Sequence, residues 1–171
     1  MQVLVLYATK TGRTEELAKA IGEGVEQTEG VRALLRRATD ATEADFLESD
    51  GVIAGSPVYF GTMAAEVKGA FDRLIGTRKE MLGKVGAAFA SSNHPSGGKE
   101  TTLLSILQAM LIYGMIIVGD PFESGGHYGL ALSGDPTDEA REDARLLGRR
   151  VAETALRLAG LCVTDSIGVT K

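Results

Sequence analysis

Val3-Leu4-Val5-Leu6-Tyr7-Ala8 runs directly into Thr9-Lys10-Thr11-Gly12-Arg13-Thr14, so a short apolar strand ends in a loop of hydroxyls around one glycine. An amphipathic helix follows, with Leu17, Ala18, Ile21 and Val25 spaced along one face. A strand–loop–helix unit of this kind points unpaired backbone N–H groups beyond the strand, where the helix dipole favours an anion. Thr9, Thr11 and Thr14 bring hydroxyl donors, and Gly12 lets the backbone approach closely. The reading is a cradle for a terminal phosphate. The alternative is an ordinary turn whose threonines only cap the helix.

Two better-known phosphate signatures fail on spacing. Gly98-Lys99 has Asn93 where a nucleotide-triphosphate loop needs its first glycine, and Glu100 follows the lysine. Gly22 and Gly24 lie inside the first helix and lead to Gln27, so they make no dinucleotide fingerprint.

Outward from this unit, strand and helix patterns alternate to the end of the chain. Val31–Arg37 reads as a second strand whose charged flank suits a sheet edge. Val52–Gly55 reads as a buried third strand. A helix is then expected from about Thr62, with Met63, Val67, Ala70, Phe71 and Leu74 on its apolar face. Val85–Ala90 is a fourth strand, Thr101–Tyr113 an apolar helix, and Gly114–Gly119 a fifth strand. The last helix begins near Asp135-Pro136-Thr137-Asp138, with Thr137 or Asp138 as its cap. It continues through Ala144, Leu147, Val151 and Leu158 and stops at Gly160. Five strands separated by helices with short connections predict an α/β fold. It is a three-layer sandwich around a five-stranded parallel sheet in the order 2-1-3-4-5, over a single domain 1–171. Ligands of such sheets bind beyond the carboxyl ends of the strands, beside strands 1 and 3.

The loops expected at those ends have the composition of a site. Ser56-Pro57-Val58-Tyr59-Phe60-Gly61-Thr62 places two adjacent aromatics on one loop, in a chain with 5% aromatic residues. They form a platform on which a planar ring could stack, unless one of the pair plugs the top of the core. Ser91-Ser92-Asn93-His94-Pro95-Ser96-Gly97-Gly98 is long, polar and rich in turn formers. Asp120–Pro136 contains Ser124-Gly125-Gly126-His127-Tyr128-Gly129, in which His127 is either a polar or proton-donating contact or a surface histidine.

The 171 residues are 44% hydrophobic, enough for a substantial core, and carry a net charge of −5. Scattered Lys and Arg argue against nucleic acid or an anionic membrane as the main partner. The longest apolar run, Met110–Val118, is broken by Tyr113-Gly114 and is too short for a membrane span. The opening strand has no basic flank of a secretory signal, so a cytoplasmic location is expected. The one cysteine, Cys162, has no ligand-spaced neighbours and reads as a small hydrophobe.

Gly55-Ser56-Pro57-Val58-Tyr59-Phe60-Gly61-Thr62-Met63-Ala64-Ala65 and Gly97-Gly98-Lys99-Glu100-Thr101-Thr102-Leu103-Leu104-Ser105-Ile106 give the chain a resemblance to a known family. Together with weaker matches at Gly126-His127-Tyr128-Gly129 and Gly134-Asp135, they resemble flavodoxin-fold FMN proteins of the WrbA type, which are NAD(P)H:quinone oxidoreductases. The resemblance implies FMN as cofactor, NADH or NADPH as electron donor, a quinone as acceptor, and a homo-oligomer, either dimer or tetramer. It implies that Thr9, Lys10, Thr11, Gly12, Arg13 and Thr14 hold the FMN phosphate. Pro57, Val58, Tyr59, Phe60 and Gly61 would line the flavin ring. Ser91, Ser92, Asn93, His94, Gly97 and Gly98 would approach its pyrimidine side and ribityl chain, and catalytic His127 would stand at the pocket mouth. The segments after strands 2 and 5 are shorter than is usual in that family, and Val58 stands where a basic residue is common. A one-electron carrier of the flavodoxin kind is the competing reading. The mild acidity, Lys10, Arg13 and Lys99 near the site, and the lack of any Trp lean towards the enzyme.

Overall fold

The computed structural model describes residues 1–160; Cys162 lies outside them. Strand β1 (Gln2–Tyr7) is central. Val3, Leu4, Val5 and Leu6 are all fully buried, because helices cover both faces of the sheet. Val3, Val5 and Tyr7 face a core closed by α1 (Arg13–Glu26) and α5 (Asp138–Leu158). Leu4 and Leu6 face the other core, under α2 (Glu43–Leu47), α3 (Ala65–Arg73) and α4 (Lys99–Ile112). The remaining strands are β2 (Arg32–Arg37), β3 (Gly51–Tyr59), β4 (Thr62–Met63), β5 (Val85–Ser92), β6 (Ile116–Ile117) and β7 (Leu130–Ser133).

The sheet runs β2-β1-β3-β5-β6, and β7 also pairs with β5. β6 and β7 thus share the fifth position, which gives the expected 2-1-3-4-5 order of columns. All these pairings are parallel. The arginine-rich β2 takes the edge, its charged side chains blunting the unpaired ladder. Gly24 on α1 and Gly148 on α5 lie where a Cβ would collide with the Arg145 and Ile21 carbonyls of the facing helix. These glycines, and not any nucleotide motif, let the two helices touch backbone to backbone. Thr137 caps α5 by accepting the Ala140 N–H at 3.1 Å.

Four local expectations are corrected. β3 does not stop at Gly55 but continues through Ser56, Pro57, Val58 and Tyr59, because β5 reaches equally far and pairs Pro57 with Ser91. The following helix starts at Ala65 and not Thr62, because Thr62-Met63 folds back as β4 against Tyr59 and Val58. The fifth strand is split: β6 is two residues long, and β7 resumes the same column after an excursion over 118–129. Helix α2 is additional, held by a capping box in which Thr42 and Asp45 satisfy each other's amides. Asp45 sits below the ordinary carboxylate range. Its burial works the other way but is outweighed by the Thr42 amide and hydroxyl and by Arg36.

Candidate functional site

Three chain segments converge at the carboxyl ends of β1, β3 and β5 around a cleft of about 260 Å³. Lys10, Thr11, Arg13 and Thr14 form one wall, Pro57, Val58 and Tyr59 another, and Ser91, Ser92 and Asn93 the third. Larger grooves exist elsewhere. One of about 850 Å³ at the opposite end of the sheet is mainly apolar, with Ile75, Leu82 and Ile112 in its lining. It offers no converging set of unpaired donors. The smaller cleft does.

The donors come from the start of α1. Gly12 is the N-cap, in the left-handed region at φ 93°, and no side chain caps the helix. The Gly12 amide donates to Thr9 Oγ1 at 3.0 Å, so Thr9 shapes the loop from within. Glu16 N–H closes the first helical bond onto the Gly12 carbonyl at 2.9 Å. The amides of Thr11, Arg13, Thr14 and Glu15 find no acceptor among the described residues. The two acids of the first turn are committed outward. Glu15 pairs with Lys19 and Arg37, at 3.3 and 2.9 Å, and Glu16 pairs with Arg141 at 2.5 Å. The Lys19 hydrogen bond, with Arg37 behind it, holds the Glu15 carboxyl below its ordinary range against a small burial effect. The positive end of the helix is therefore open to an anion from outside.

Buried Thr14 shares a 2.9 Å hydrogen bond with buried Ser91, locking the start of α1 to the end of β5. Arg13 Nε donates to Asp135 Oδ1 at 2.6 Å, and Arg13 Nη1 donates to Asn93 Oδ1. Lys10, Thr11 and Gly12 are exposed.

The second wall is a hairpin. Tyr59 pairs with Thr62, and the two residues between them, Phe60 and Gly61, have φ of 50° and 77°. Positive φ at both positions is the twist-matched turn for a two-residue hairpin, which normally selects Asn or Gly at the first. Phe60 is the only non-glycine among the described residues with positive φ, and its side chain is fully exposed. A large apolar ring held in a strained conformation in solvent contributes nothing to the core, which marks it for contact with a ligand. Ser56 secures the base of the hairpin by accepting the Ala64 N–H at 2.7 Å.

The third wall is tied to the second by glycines. A Cβ on Gly98 would come within 3.0 Å of Gly61 Cα, and Gly98 itself is the left-handed N-cap of α4. Ser92 Oγ and the Gly97 amide both donate to the His94 carbonyl, at 2.7 and 2.9 Å. Buried Lys99 donates from Nζ to Pro95 O at 2.7 Å and Ser133 Oγ at 2.6 Å. His94 is exposed, and its Nδ1 accepts the Ser96 amide at 3.1 Å.

Of the residues expected at the site, Thr9, Gly12, Phe60, Gly61, His94, Gly97, Gly98 and His127 are outside the lining of this cleft, and His127 belongs to a different part of the sheet. It lies on the 118–129 excursion, with its carbonyl against Gly119, and the next residues after it, at Gly129, reach the level of Ala88. β7 then climbs beside Phe89–Ser92 before the cleft is reached. Local sequence places the glycine-flanked loop above the sheet, because Gly114–Gly119 reads as one unbroken strand, whereas the fifth column is split into β6 and β7. Asp135 and Ser133 are site-shaping residues that the sequence reading missed. Both depend on contacts with residues far away in the chain.

Residues 35–128 match the family described as NADPH-dependent FMN reductase. A flavodoxin of Aquifex aeolicus is 37% identical over 158 residues, covering 89% of this chain and 85% of the relative. The chain belongs to this flavodoxin-fold FMN family. An NAD(P)H dehydrogenase (quinone) of Archaeoglobus fulgidus is 34% identical over 189 positions, covering 92% of this chain and 98% of the relative. Among solved structures, the WrbA-like flavodoxin protein of Agrobacterium tumefaciens superposes with a TM-score of 0.78 at 26% identity, over 91% of this chain and 98% of that one. The family member described here is thus a WrbA-like oxidoreductase with FMN as cofactor. Its cleft fits that group: unpaired amides suit a terminal phosphate, and an exposed aromatic wall suits a flat ring. Among the described residues no helix is long and apolar enough to cross a membrane.

Proposed function

We propose that this protein transfers two electrons from NADH or NADPH to a quinone. The observation that carries the proposal is the asymmetry of the cleft. Tyr59 lines one side, with the fully exposed Phe60 beside it at the hairpin tip, whereas the facing wall of Ser91, Ser92 and Asn93 carries no ring side chain. A flat ring seated on the aromatic wall keeps its other face accessible to a second flat ring. Hydride transfer between stacked rings needs that access, with reacting atoms about 3–3.5 Å apart.

In this reading the amides of Thr11, Arg13, Thr14 and Glu15 bind the phosphate, with the Thr11 and Thr14 hydroxyls beside them. Thr9, Gly12 and Lys10 shape and charge that loop. Pro57, Val58, Tyr59, Phe60 and Gly61 orient the ring, and backbone groups of Ser91, Ser92, Asn93, His94, Gly97 and Gly98 meet its polar edge. When bound, FMN supplies the hydride acceptor and the two-electron store, which no side chain here provides. The exposed cation Lys10 draws anionic nucleotides to this end of the molecule.

A one-electron carrier is the second reading, and one observation favours it. The alignment with the Archaeoglobus relative runs over 189 positions, more than the 171 residues of this chain, so that relative has segments which this chain lacks. The Aquifex flavodoxin aligns over 158. Anaerobic addition of NADH or NADPH to the FMN-loaded protein decides between them. The expected result is one-step bleaching of the visible band, reversed by benzoquinone. Indifference to both nucleotides, with reduction by dithionite in two separable one-electron steps, would assign the protein to the carriers.

A further inference from the structure

Two clefts meet at Arg13. On one side of its side chain is the flavin cleft. On the other is a depression of about 590 Å³, with Glu16, Lys19, Pro136 and Arg141 among its lining residues. Thr11 and Arg13 line both. The partition is a bridge of three side chains from distant parts of the chain, Asn93–Arg13–Asp135, with Arg13 donating to an oxygen on each flank. A guanidinium in the first turn of a helix lies at the wrong end of the dipole, so these two oxygens are what hold it across the gap.

We propose that the Asn93–Arg13–Asp135 bridge ends the flavin site at a single terminal phosphate and so makes this protein select FMN over FAD. The inference rests on the reading that the 9–14 loop takes the flavin phosphate. A monophosphate finishes where the bridge stands. A dinucleotide has to continue past it, and the second cleft is the space beyond. That space rejects a second phosphate on two counts. Asp135, Glu15 and Glu16 bring three carboxylates to its lining. Its three cations are already committed: Arg13 to Asp135 at 2.6 Å, Lys19 to Glu15 at 3.3 Å, and Arg141 to Glu16 at 2.5 Å and Asp138 at 2.7 Å. The bridge is also removable without disturbing the core, since the Asp135 side chain is 84% exposed.

The test is to titrate the flavin-free protein with riboflavin, FMN and FAD, following flavin fluorescence. Three proteins are compared: the wild type, the double variant Asn93→Ala with Asp135→Asn, and Arg13→Ala. Circular dichroism confirms that each is folded. The wild type is expected to bind FMN at least about tenfold more tightly than FAD, a difference of about 1.4 kcal/mol. Both variants should shrink that ratio by about twofold to fivefold, the range an exposed ion pair can supply, mainly by strengthening FAD. The wild-type ratio should also fall as salt is raised, because the exposed Arg13–Asp135 pair is screened. Equal wild-type affinity for FMN and FAD, or an FMN-to-FAD ratio unmoved in both variants, overturns the bridge while leaving the phosphate reading intact. A wild type that binds riboflavin as tightly as FMN overturns the phosphate reading itself and the bridge with it.

Discussion

Tyr59-Phe60 and His127-Tyr128 are two places where ring side chains stand together beside glycine, and the fold uses them differently. The first pair sits at the tip of a hairpin that grows out of β3 after its last pairing with β5, at Pro57 and Ser91. It therefore projects above the sheet, beside the cleft. The second pair sits on an excursion that interrupts a strand, and β7 still has four residues of pairing to complete afterwards. It is left on the sheet edge. The two also differ in what holds them. Phe60 is strained and exposed, whereas the 118–129 excursion is built around buried Asp120, whose carboxylate accepts the amides of Gly126, His127 and Gly129 at 3.1, 2.7 and 3.0 Å. What places a loop at a ligand site is where its strand stops pairing, and local composition does not report that.

The comparison can be broken most forcefully at Asp120. Asp120→Ala leaves three amides without their acceptor and is expected to cost about 3 kcal/mol in urea unfolding. FMN affinity of the folded protein should not change. A large loss of affinity at constant stability would put the excursion at the flavin site after all. Phe60→Gly should do the reverse. Releasing a bulky residue from positive φ should raise stability by about 1 kcal/mol. Loss of the ring should weaken FMN binding about tenfold, at the strong end of what an aromatic contact contributes.

A smaller effect separates charge from hydrogen bonding at the excursion. The Asp143 carboxyl is pushed up, first by burial and then by Glu139, Asp120 and Glu142. A carboxyl raised in the folded state keeps its proton longer there than in the unfolded chain. Its contribution to stability is therefore full at acid pH and lost as pH rises through the raised value. Asp143→Asn should remove that slope. At neutral pH it should gain about 0.2–0.5 kcal/mol, the cost of like charges at i,i+4, here Glu139 and Asp143. Smallest of all is His127→Ala, which should leave FMN affinity and the rate of reduction by NAD(P)H within about twofold, as for a surface substitution. A drop of a hundredfold in that rate would bring His127 back to the reaction and break the contrast.

Much of this arrangement was legible in local sequence. The β1–loop–α1 unit, the edge position of β2 and the Thr137 cap are set by periodicity, charge and capping within a few residues of one another. Helix α2 was missed because five residues are too few to show a period, although Thr42 and Asp45 carried its capping signal. Pro57 read as a loop residue, yet it lies in the β3–β5 ladder opposite Ser91. The break in the fifth column was invisible because Gly114–Gly119 and Leu130–Ser133 are each apolar, and nothing local says that both occupy one strand position.

The sequence by itself determined the alternation of strand and helix, the buried face of each helix, and the loop that offers amides to a phosphate. Each of these follows from neighbours within a turn or two of the chain. Only the tertiary structure decided which glycine-flanked rings face that loop, and that Arg13 meets Asn93 and Asp135 across 80 and 122 residues. The physical reason is that strand register and crossover geometry bring distant residues together, and both are set by how complete sheet and helix layers pack.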